Sequence, residues 1–328
     1  MGVRRIGRVE LPHDPPAFLK ARLAVRRHPW PGGRGIAVGL SGGADSLALT
    51  AALAAERPGG SEPLAVVVDH GLQKGSAAGA RDAAREARRL GLECRVVAVR
   101  VAGPGGEEAA ARRARYAALA DAAEGRAIAV AHTENDQAEG FLLGGLRGQP
   151  AGMAATSELA GAPGGLHRPF LGLRRADTAA ACRELDLRVW SDPANADRRF
   201  RRVAIREEIL PALECLTGAD PIGPLAAAAA RARLEQDAVA ERADGIDAGS
   251  CEELAAAPPA VRREAIARLI RGAGAAPTAA SIEQVEALVT RWRGQGPVAV
   301  GGRGGARLEV HRARGRLALF RQKGAPDA

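Results

Sequence analysis

The sequence predicts an α/β fold, in which a doubly wound parallel sheet is followed by a smaller, mainly helical second domain. Two observations support this prediction. Short apolar runs alternate with helical segments in the first half of the chain, and Ala-rich helices dominate from about residue 218. Regular alternation of strands and helices is typical of parallel sheets with helices on both faces. In such sheets ligands bind at the carboxyl ends of the strands.

Strands and helices are assigned from apolar runs and from helical spacing. The predicted strands of the sheet are residues 36–40, 64–68, 95–101 and 127–131. The predicted helices are residues 17–27, 77–90, 107–123, 134–146 and 174–186, with one more directly after the first strand. The second domain is predicted to hold helices at 225–243, 260–271 and 279–292 and β-like segments at 298–300, 307–310 and 317–320.

These elements divide the chain into an N-terminal extension at 1–34, an α/β domain at 35–217 and a second domain at 218–328. The α/β domain ends in a basic linker at 192–211. The chain has 328 residues, 46% of them hydrophobic, which is enough for a sizeable core. Its net charge of +9 favours a polyanionic partner such as nucleic acid, although charge alone is a weak signal.

The four cysteines, Cys94, Cys182, Cys215 and Cys251, stand far apart and form no Cys-x-x-Cys pair. Their spacing indicates neither a zinc site nor an iron–sulfur cluster, so we expect free thiols in a reducing compartment. No stretch approaches the ~20 apolar residues of a membrane span, and the N-terminus lacks an apolar signal core. We therefore expect a cytoplasmic protein with no membrane partner.

The strongest motif is a glycine turn between the first strand and its helix. It reads Ser41-Gly42-Gly43-Ala44-Asp45-Ser46. A strand that runs through such a turn into a helix directs free N–H groups and the positive end of the helix dipole at one point, which favours a phosphate. Asp45 could hold a magnesium ion that bridges phosphates. An ordinary strand-to-helix turn is the alternative. The motif lacks the Gly-Lys-Ser/Thr of a Walker loop and resembles the pyrophosphate loop of the N-type ATP pyrophosphatases.

Polar residues also follow two other predicted strands. Asp69 and His70 end the strand beside the loop and are expected to line the adenosine pocket, although His70 could simply cap that strand. On a helix, His132, Asp136 and Glu139 are spaced i, i+4 and i+7 and share a face. Carboxylates there can hold magnesium or the ammonium group of an amine substrate. Chance placement of acidic residues on an exposed face is the alternative.

Three groups of arginines are candidates for contacts with phosphates or RNA. Arg112 and Arg115 lie mostly on one helical stripe, which suits either a solvated, salt-bridged face or a phosphate site. Arg147 precedes Gly148 in a loop that could close over phosphates. Five arginines fall between residues 198 and 206 and are interleaved with Phe200. That composition suits contact with RNA or a solvated linker equally well.

Further motifs follow in a fixed order: Arg168-Pro169, Asp192-Pro193-Ala194-Asn195, Ile205-Arg206 and Leu210-Pro211. Together with the loop and the polar residues above, they resemble the bacterial tRNA(Ile)-lysidine synthetases. The resemblance covers residues 35–215 well and continues weakly into the second domain. It implies an adenine nucleotide α-hydrolase-like catalytic domain at 35–217 and a tRNA-binding domain at 218–328.

The resemblance implies an ATP- and Mg²⁺-dependent ligase. The C2 oxygen of the wobble cytidine in the CAU anticodon of tRNA(Ile) attacks the α-phosphate of ATP, and pyrophosphate leaves. The ε-amine of free L-lysine then attacks C2 and AMP departs, giving lysidine. Which group takes the proton from lysine stays open between His132 and a carboxylate. A homodimer is compatible with the family, but the sequence does not show one.

The resemblance also assigns residues to roles. The implied catalytic residues are Asp45, Arg112, His132, Asp136 and Glu139. The implied ATP-binding residues are Ser41, Gly42, Gly43, Ala44, Asp45, Ser46, Asp69, His70 and Arg147. The implied metal ligands are Asp45 and Asp136, and the implied RNA contacts are Arg115, Arg199, Arg202 and Arg206.

The chain departs from the family pattern at Thr133, Asn135, Gly140, Gln149-Pro150 and Val203, positions that bear on RNA or lysine positioning. The rival functions are another tRNA-modifying enzyme of the same superfamily, such as a thiolase, and a non-catalytic RNA-binding protein. Thiolation calls for reactive or cluster-binding cysteines, which this spacing lacks. The intact loop at 41–46 argues against a binding module.

Overall fold

The structure is a computed structural model that describes residues 11–12, 15–71, 75–100, 107–190, 200–302 and 307–322. The chain divides into two compact units, Met1–Ala232 and Arg233–Ala328. The division falls within a long helix, so the domain boundaries proposed from the sequence stay predictions. Within the described residues, no helix is long and apolar enough to cross a membrane.

A six-stranded sheet forms the centre of the first unit. Its strands are β1 (Ile36–Gly39), β2 (Leu64–Asp69), β3 (Glu93–Ala98), β4 (Ala127–Ala129), β5 (Thr156–Leu159) and β6 (Ala162–His167). Their spatial order is β3-β2-β1-β4-β6-β5, and all neighbours pair in parallel except β5 and β6. The predicted parallel sheet is therefore confirmed, as is the position of β2 beside the strand that carries the glycine turn.

Helices cover both faces of this sheet. They are α1 (Pro16–Arg27), α2 (Ala44–Glu56), α3 (Ser76–Arg89), α4 (Glu107–Ala123), α5 (Glu134–Gly145), α6 (Arg175–Glu184), α7 (Arg201–Ala204) and α8 (Leu210–Thr217). Successive residues of β1 point to opposite faces. Val38 belongs to the core cluster with Phe18 of α1 and Leu49 of α2, whereas Ala37 belongs to the cluster with Leu119 of α4. This alternation produces the doubly wound arrangement.

The hairpin β5–β6 was not predicted, and its composition explains why. Strand β6 contains Pro163, Gly164 and Gly165 and so offers no continuous apolar run. A Cβ on Gly164 would lie 2.5 Å from the backbone nitrogen of Ala127, at the start of β4. The glycine is therefore required by a close approach of two backbones, a contact between distant parts of the chain that periodicity does not detect.

The second unit is smaller and mainly helical, as predicted. After α9 (Ile222–Asp244), which contains the division, it holds α10 (Cys251–Ala256), α11 (Pro259–Gly272), α12 (Ala279–Thr290), β7 (Val298–Gly301), β8 (Arg307–Ala313) and β9 (Arg316–Gln322). The three strands form an antiparallel sheet in the order β7-β8-β9. Leu254, Ile266, Val285 and Val310 are fully buried and join these helices and strands into one core.

A buried pair of histidines joins α1 to the sheet. His28 Nε2 lies 2.9 Å from His167 Nδ1, and His167 Nε2 lies 2.9 Å from the carbonyl oxygen of Gly164. Trp30 packs on both imidazoles, with ring centroids 4.6 and 5.3 Å away. Burial, with a smaller contribution from His167, lowers the pKa of His28 from 6.5 to about 4. The folded protein therefore holds this imidazole neutral at pH 7.

We expect the stability of the chain to fall as the pH drops from 7 to 5. An imidazole that titrates at about 4 when folded and near 6.5 when unfolded stabilises the fold above pH 6.5, and this contribution is lost as the pH falls towards 4. For His28 the loss between pH 7 and pH 5 is roughly 2 kcal/mol. Urea unfolding of wild type and His28→Gln at both pH values measures it. The wild type should lose more than the variant, and His311→Gln is the surface control. Equal losses in wild type and His28→Gln would contradict this assignment.

Candidate active site

The glycine turn after β1 forms a compact loop at the carboxyl edge of the sheet. The backbone N–H of Leu40 donates to Val66 O at 2.9 Å, and that of Ser41 donates to Ser46 Oγ at 3.2 Å. The Ser46 hydroxyl in turn donates to Gly43 O at 2.9 Å. These bonds fix the first turn of α2. The N–H groups of a first helical turn have no partner within the helix, so this loop offers donors and positive potential to an anion.

Trp190 holds the loop against α3. Its backbone N–H donates to Gly42 O at 3.0 Å. Gly42 has φ +86°, and a Cβ there would lie 3.3 Å from Ala83 Cβ and 3.4 Å from Trp190 Cβ. Both the left-handed backbone and the close packing require glycine at this position. The second glycine of the motif, Gly43, provides the extended residue that precedes α2.

Three carboxylates from two helices meet around one guanidinium. Arg175, the first residue of α6, lies 3.5 Å from Asp45 Oδ2, 3.0 Å from Asp136 Oδ1 and 3.1 Å from Glu139 Oε1. The hydroxyl of Thr178, one turn further along α6, donates to Asp45 Oδ1. The predicted meeting of the loop carboxylate with the α5 carboxylates is therefore present, with an arginine at its centre.

Burial and charge act in opposite directions on these carboxylates. Burial raises the pKa of Asp45 above its ordinary value, although Thr178 and Arg175 oppose the rise. Burial also opposes ionisation of Asp136. There, however, the charge of Arg175 and the hydrogen bonds from Thr133 prevail and hold the pKa of Asp136 below its usual range. Asp136 is therefore an anion at neutral pH.

Glu139 lies deepest in the cluster. Its side chain is fully buried, and Arg206 donates from Nε to Oε1 at 2.8 Å and from Nη2 to Oε2 at 3.2 Å. Both of its oxygens are thus engaged by arginines. Arg206 was predicted to contact RNA; the structure pairs its guanidinium with Glu139 and leaves its side chain 29% exposed.

His132 lies outside the helix on which the sequence placed it. Helix α5 begins at Glu134, because Thr133 is its N-cap: Thr133 N–H and Oγ–H donate to Asp136 Oδ2 at 2.7 and 2.9 Å. The prediction that His132, Asp136 and Glu139 share one helical face was therefore wrong for His132, which occupies the loop after β4. The departures from the family pattern have local roles here, since Asn135 Oδ1 also accepts the backbone N–H of Arg175 at 3.0 Å.

Charged groups nevertheless converge on His132. Burial lowers its pKa from 6.5 to about 4; Asp136 opposes this shift, and the positive charges of Arg168, Arg112 and Arg202 reinforce it. The imidazole is therefore neutral at pH 7. Its Nδ1 is buried and, within the described residues, has no hydrogen-bond partner. A neutral ring with an unused nitrogen, surrounded by three cations, is suited to an anionic ligand.

The end of β2 meets α4 beside the loop. Asp69 Oδ1 accepts the backbone N–H of Gly71 at 3.0 Å, and Arg115 Nε donates to His70 Nε2 at 3.2 Å. Arg115 was predicted to contact RNA, and the structure places it against a residue predicted to bind ATP. One turn earlier, the Arg112 guanidinium lies 4.9 Å from the centre of the Tyr116 ring.

The remaining predicted residues are less informative. Arg147 is exposed in the turn after α5, and within the described residues its side chain makes no hydrogen bond or ion pair. Arg199 and the segment Asp192-Pro193-Ala194-Asn195 lie outside the described residues. Val203 is buried in α7.

Two residues at the centre of the site, Arg175 and Thr178, escaped the sequence analysis. Both lie in the first turn of a predicted helix that follows Arg168-Pro169, where an arginine and a threonine are unremarkable. Both follow β6 at the carboxyl edge of the sheet, but this strand was not predicted, so no signal in the sequence pointed to their position.

The fold and the site together define a nucleotide-binding α/β protein with a phosphate loop. A family model described as a PP-loop domain matches residues 19–213, and one described as a TilS substrate binding domain matches residues 250–318. The first assigns the chain to the PP-loop proteins, which use ATP. Among solved structures, the U34-tRNA thiolase NcsA from Methanococcus maripaludis shares the fold. Its TM-score is 0.50 and its identity 19%, and the match covers 60% of this chain and 73% of that one.

Curated relatives match nearly the whole chain. The tRNA(Ile)-lysidine synthase of Corynebacterium glutamicum is 46% identical over 96% of this chain and 98% of its own length. That of Nocardia farcinica is 48% identical over 89% of this chain and 93% of its own length. The chain belongs to the tRNA(Ile)-lysidine synthase family.

We expect Arg175→Met to destabilise the first unit by roughly 2 kcal/mol, because within the described residues it removes the ion pairs of Asp45 and Asp136 and leaves Glu139 paired with Arg206. Arg175→Lys should lose less, since it keeps the charge but not the fork of donors. Arg183→Met, an exposed position on the same helix, is the matched control. Thermal unfolding compares the three variants. Equal melting temperatures for Arg175→Met and Arg183→Met would show that the guanidinium does not hold the cluster together.

Proposed function

We propose that this protein joins free L-lysine to C2 of the wobble cytidine in the CAU anticodon of tRNA(Ile), giving lysidine, AMP and pyrophosphate. The observation that supports it most directly is the phosphate loop meeting an acidic cluster at one sheet edge. Relatives named tRNA(Ile)-lysidine synthase, matched over nearly their whole length, point to the same reaction.

The reaction has two steps with different demands. The cytidine C2 oxygen attacks the α-phosphate and pyrophosphate leaves, so negative charge develops on the phosphate oxygens. The ε-amine of lysine then attacks C2, the bond from C2 to the adenylate oxygen breaks, AMP leaves and the amine loses a proton. The first step requires donors and cations at the phosphates, and the second requires a neutral amine held beside C2.

We assign pyrophosphate and ATP binding to residues 41–46. The N–H groups in the first turn of α2 have no partner within the helix and can donate to phosphate oxygens. Asp69 and His70, at the neighbouring strand end, are placed to line the adenosine side. Arg147 remains a proposed phosphate contact from the loop after α5. We assign Arg112 to the α-phosphate, because its charge acts on His132 from α4.

Mg²⁺ fits this site as a partner of bound phosphates. Within the described residues, no group of three or more acidic, histidine or cysteine side chains forms a complete metal site. Asp45 and Asp136, which both contact the Arg175 guanidinium, supply two carboxylates. Magnesium is commonly held by one or two carboxylates with water and phosphate oxygens completing its shell. When bound, it would neutralise charge developing on the phosphates.

The acidic cluster also fits the ammonium group of lysine. The three carboxylates and the two arginines that contact them carry a net charge of −1, which suits an ammonium group. We assign direct contact to Asp136, whose side chain is 13% exposed, and a positioning role to Glu139, whose side chain is fully buried beneath Arg175 and Arg206. With a pKa of about 4, His132 is a weak base at pH 7, so we assign it a hydrogen bond to substrate and not removal of the proton from lysine.

We propose that Arg202 and Arg199 contact the RNA near the reacting base. Arg202 is half-buried, and its positive charge contributes to the lowered pKa of His132, which supports this assignment. Arg115 and Arg206, which are held by His70 and Glu139, are better explained as positioning residues.

Sulfur transfer, the reaction of the structural relative, is disfavoured by the cysteines of this chain. Burial raises the pKa of Cys94 to about 11 and that of Cys182 to about 12, so both are protonated and unreactive at neutral pH. All four cysteines are free, and they belong to separate elements.

The decisive measurement is AMP release from ATP by the full chain with L-lysine and a tRNA(Ile) transcript that carries a CAU anticodon. AMP formation should require both lysine and this transcript. Omission of lysine and replacement by a tRNA(Met) transcript, which shares the anticodon, are the controls. AMP formed with another amine or a sulfur donor would move the reaction to another member of the superfamily.

Asp45→Asn should lower the turnover number by roughly 10²–10³-fold, because it removes a charge at the transferring phosphate, while tRNA affinity stays within about twofold. Asp82→Asn, an exposed substitution on α3, should leave both quantities unchanged. Turnover at the wild-type rate in Asp45→Asn would refute the role assigned to this carboxylate.

A further inference from the structure

Arg174 connects the starts of three helices. It is the N-cap residue of α6. Its Nε lies 2.7 Å from Glu134 Oε2, in the first turn of α5, and its Nη2 lies 2.5 Å from Asp220 Oδ2, just before α9. Neither partner is one of the three carboxylates around Arg175. One guanidinium therefore ties the two helices that carry the acidic cluster to the helix that leads into the second unit.

The first turns of α5 and α6 are also joined through their backbones. The Glu134 N–H donates to Leu173 O at 2.8 Å, and the Arg175 N–H donates to Asn135 Oδ1 at 3.0 Å. The ion pair to Glu134 adds a third link between the same two turns. Asp136 lies two residues further along α5. The placement of Asp136 against Arg175 therefore depends on this junction.

The start of α9 gives the junction an anchor. Asp220 Oδ1 accepts a backbone N–H from the first turn of α9 at 3.0 Å. A Cβ on Gly223 would lie 3.2 Å from Arg174 Nη2, so the guanidinium packs closely on this helix. A Cβ on Gly152 would lie 2.5 Å from Ala229 O, so the backbone of α9 also packs on the segment after α5. Asp220 is thus held by a helix that is itself fixed in the first unit.

The ion pairs of Arg174 are too exposed to contribute much to stability. The side chain of Arg174 is 30% exposed and that of Asp220 is 51% exposed, and such pairs contribute little to the free energy of unfolding. An arginine that binds carboxylates from two helices still restricts their positions, because its planar fork of donors has a fixed geometry. The arrangement therefore points to a role in the geometry of the site.

We propose that Arg174 is a positioning residue for the ammonium group of the amine substrate. Anchored by Asp220, it fixes Asp136 relative to Arg175 and so sets the affinity of the acidic cluster for lysine. The identity of the substrate as lysine rests on the proposed function. A site that is already held in its binding geometry does not lose affinity to the cost of ordering its groups.

The charge of Arg174 alone predicts the opposite effect on lysine. Removing a positive charge beside the site, and with it the ion pair of Glu134, would strengthen the attraction for an ammonium group and lower the KM for lysine. Loss of positioning raises this KM. Loss of folded protein lowers kcat and leaves the KM unchanged. Asp45 keeps its hydrogen bond from Thr178 in each case, so the KM for ATP should not follow the KM for lysine.

The test is the steady-state rate of AMP release by the full chain with ATP, the tRNA(Ile) transcript and varied L-lysine. Arg174→Met should raise the KM for lysine by about 2- to 30-fold. The kcat and the KM for ATP should stay within about twofold of wild type. Arg174→Lys, which keeps the charge but not the fork, should raise the KM for lysine less.

Arg95→Met is the matched control. The Arg95 side chain is 35% exposed and also pairs with two carboxylates, those of Glu93 and Glu124, but it lies on β3. This variant should leave the KM for lysine unchanged. An equal rise in Arg95→Met would overturn the proposal, as would an unchanged or lowered KM in Arg174→Met.

Asp220→Ser tests the anchor. Serine can make the same hydrogen bond to the first turn of α9 but is too short to reach Arg174. This substitution should raise the KM for lysine in the wild-type background and have no further effect in Arg174→Met. Additive effects would overturn the proposal. If Arg174→Met does not fold, Asp220→Ser decides: a raised KM supports the positioning role, and an unchanged KM refutes it.

Wild-type turnover separates this inference from the proposed function. If AMP release by wild type does not depend on lysine, the proposed reaction fails, and the role of Arg174 in lysine binding fails with it. If AMP release depends on lysine while the variants keep the wild-type KM, the positioning role alone is refuted.

Discussion

The site depends on one guanidinium. Arg175 connects the carboxylates of Asp45, Asp136 and Glu139, which come from α2 and α5, to the start of α6. Without Arg175 between them, the three carboxylates would repel one another, and protonation of the cluster would become more favourable. The arginine therefore does more than satisfy charge, because it fixes the phosphate loop and the helix after β4 in one arrangement at the edge of the sheet. Any cation that enters the cluster must also compete with Arg175 for these carboxylates.

The sequence predicted those features that are encoded by residues close together in the chain. The loop at 41–46, the alternating strands and helices and the order of the motifs each depend on neighbouring residues, and the structure has them at nearly the predicted bounds. The hairpin β5–β6 and the central Arg175 depend on contacts between segments far apart in the chain. His132 was misplaced for a smaller reason. The predicted helix began at residue 134, but the capping role of Thr133 was not considered, and the helical spacing was extended back to His132.

Arginine serves three distinct purposes in this chain, which explains why composition alone was a poor guide. Arg206 and Arg115 were predicted to contact RNA, yet they hold Glu139 and His70 in place. Arg168 is buried and donates to Ala154 O at 2.8 Å, so it supports the backbone beside β6. An arginine count therefore does not separate the arginines that support the fold from those that could contact a ligand. The net charge of +9 therefore does not show which arginines a partner would contact.

The packing of Trp190 constrains how this protein can be stabilised. Replacing a helical glycine by alanine ordinarily adds about 0.5–1 kcal/mol to stability. At Gly79, within α3, a Cβ would lie 2.7 Å from the indole ring of Trp190. The backbone N–H of Trp190 in turn donates to Gly42 O in the loop at 41–46. The usual thermostabilising substitution would therefore displace Trp190 and disturb the loop at 41–46. Gly79 therefore lowers the stability of α3 but leaves room for Trp190 against the loop at 41–46. A substitution that stabilises this helix at Gly79 would do so at the expense of that packing.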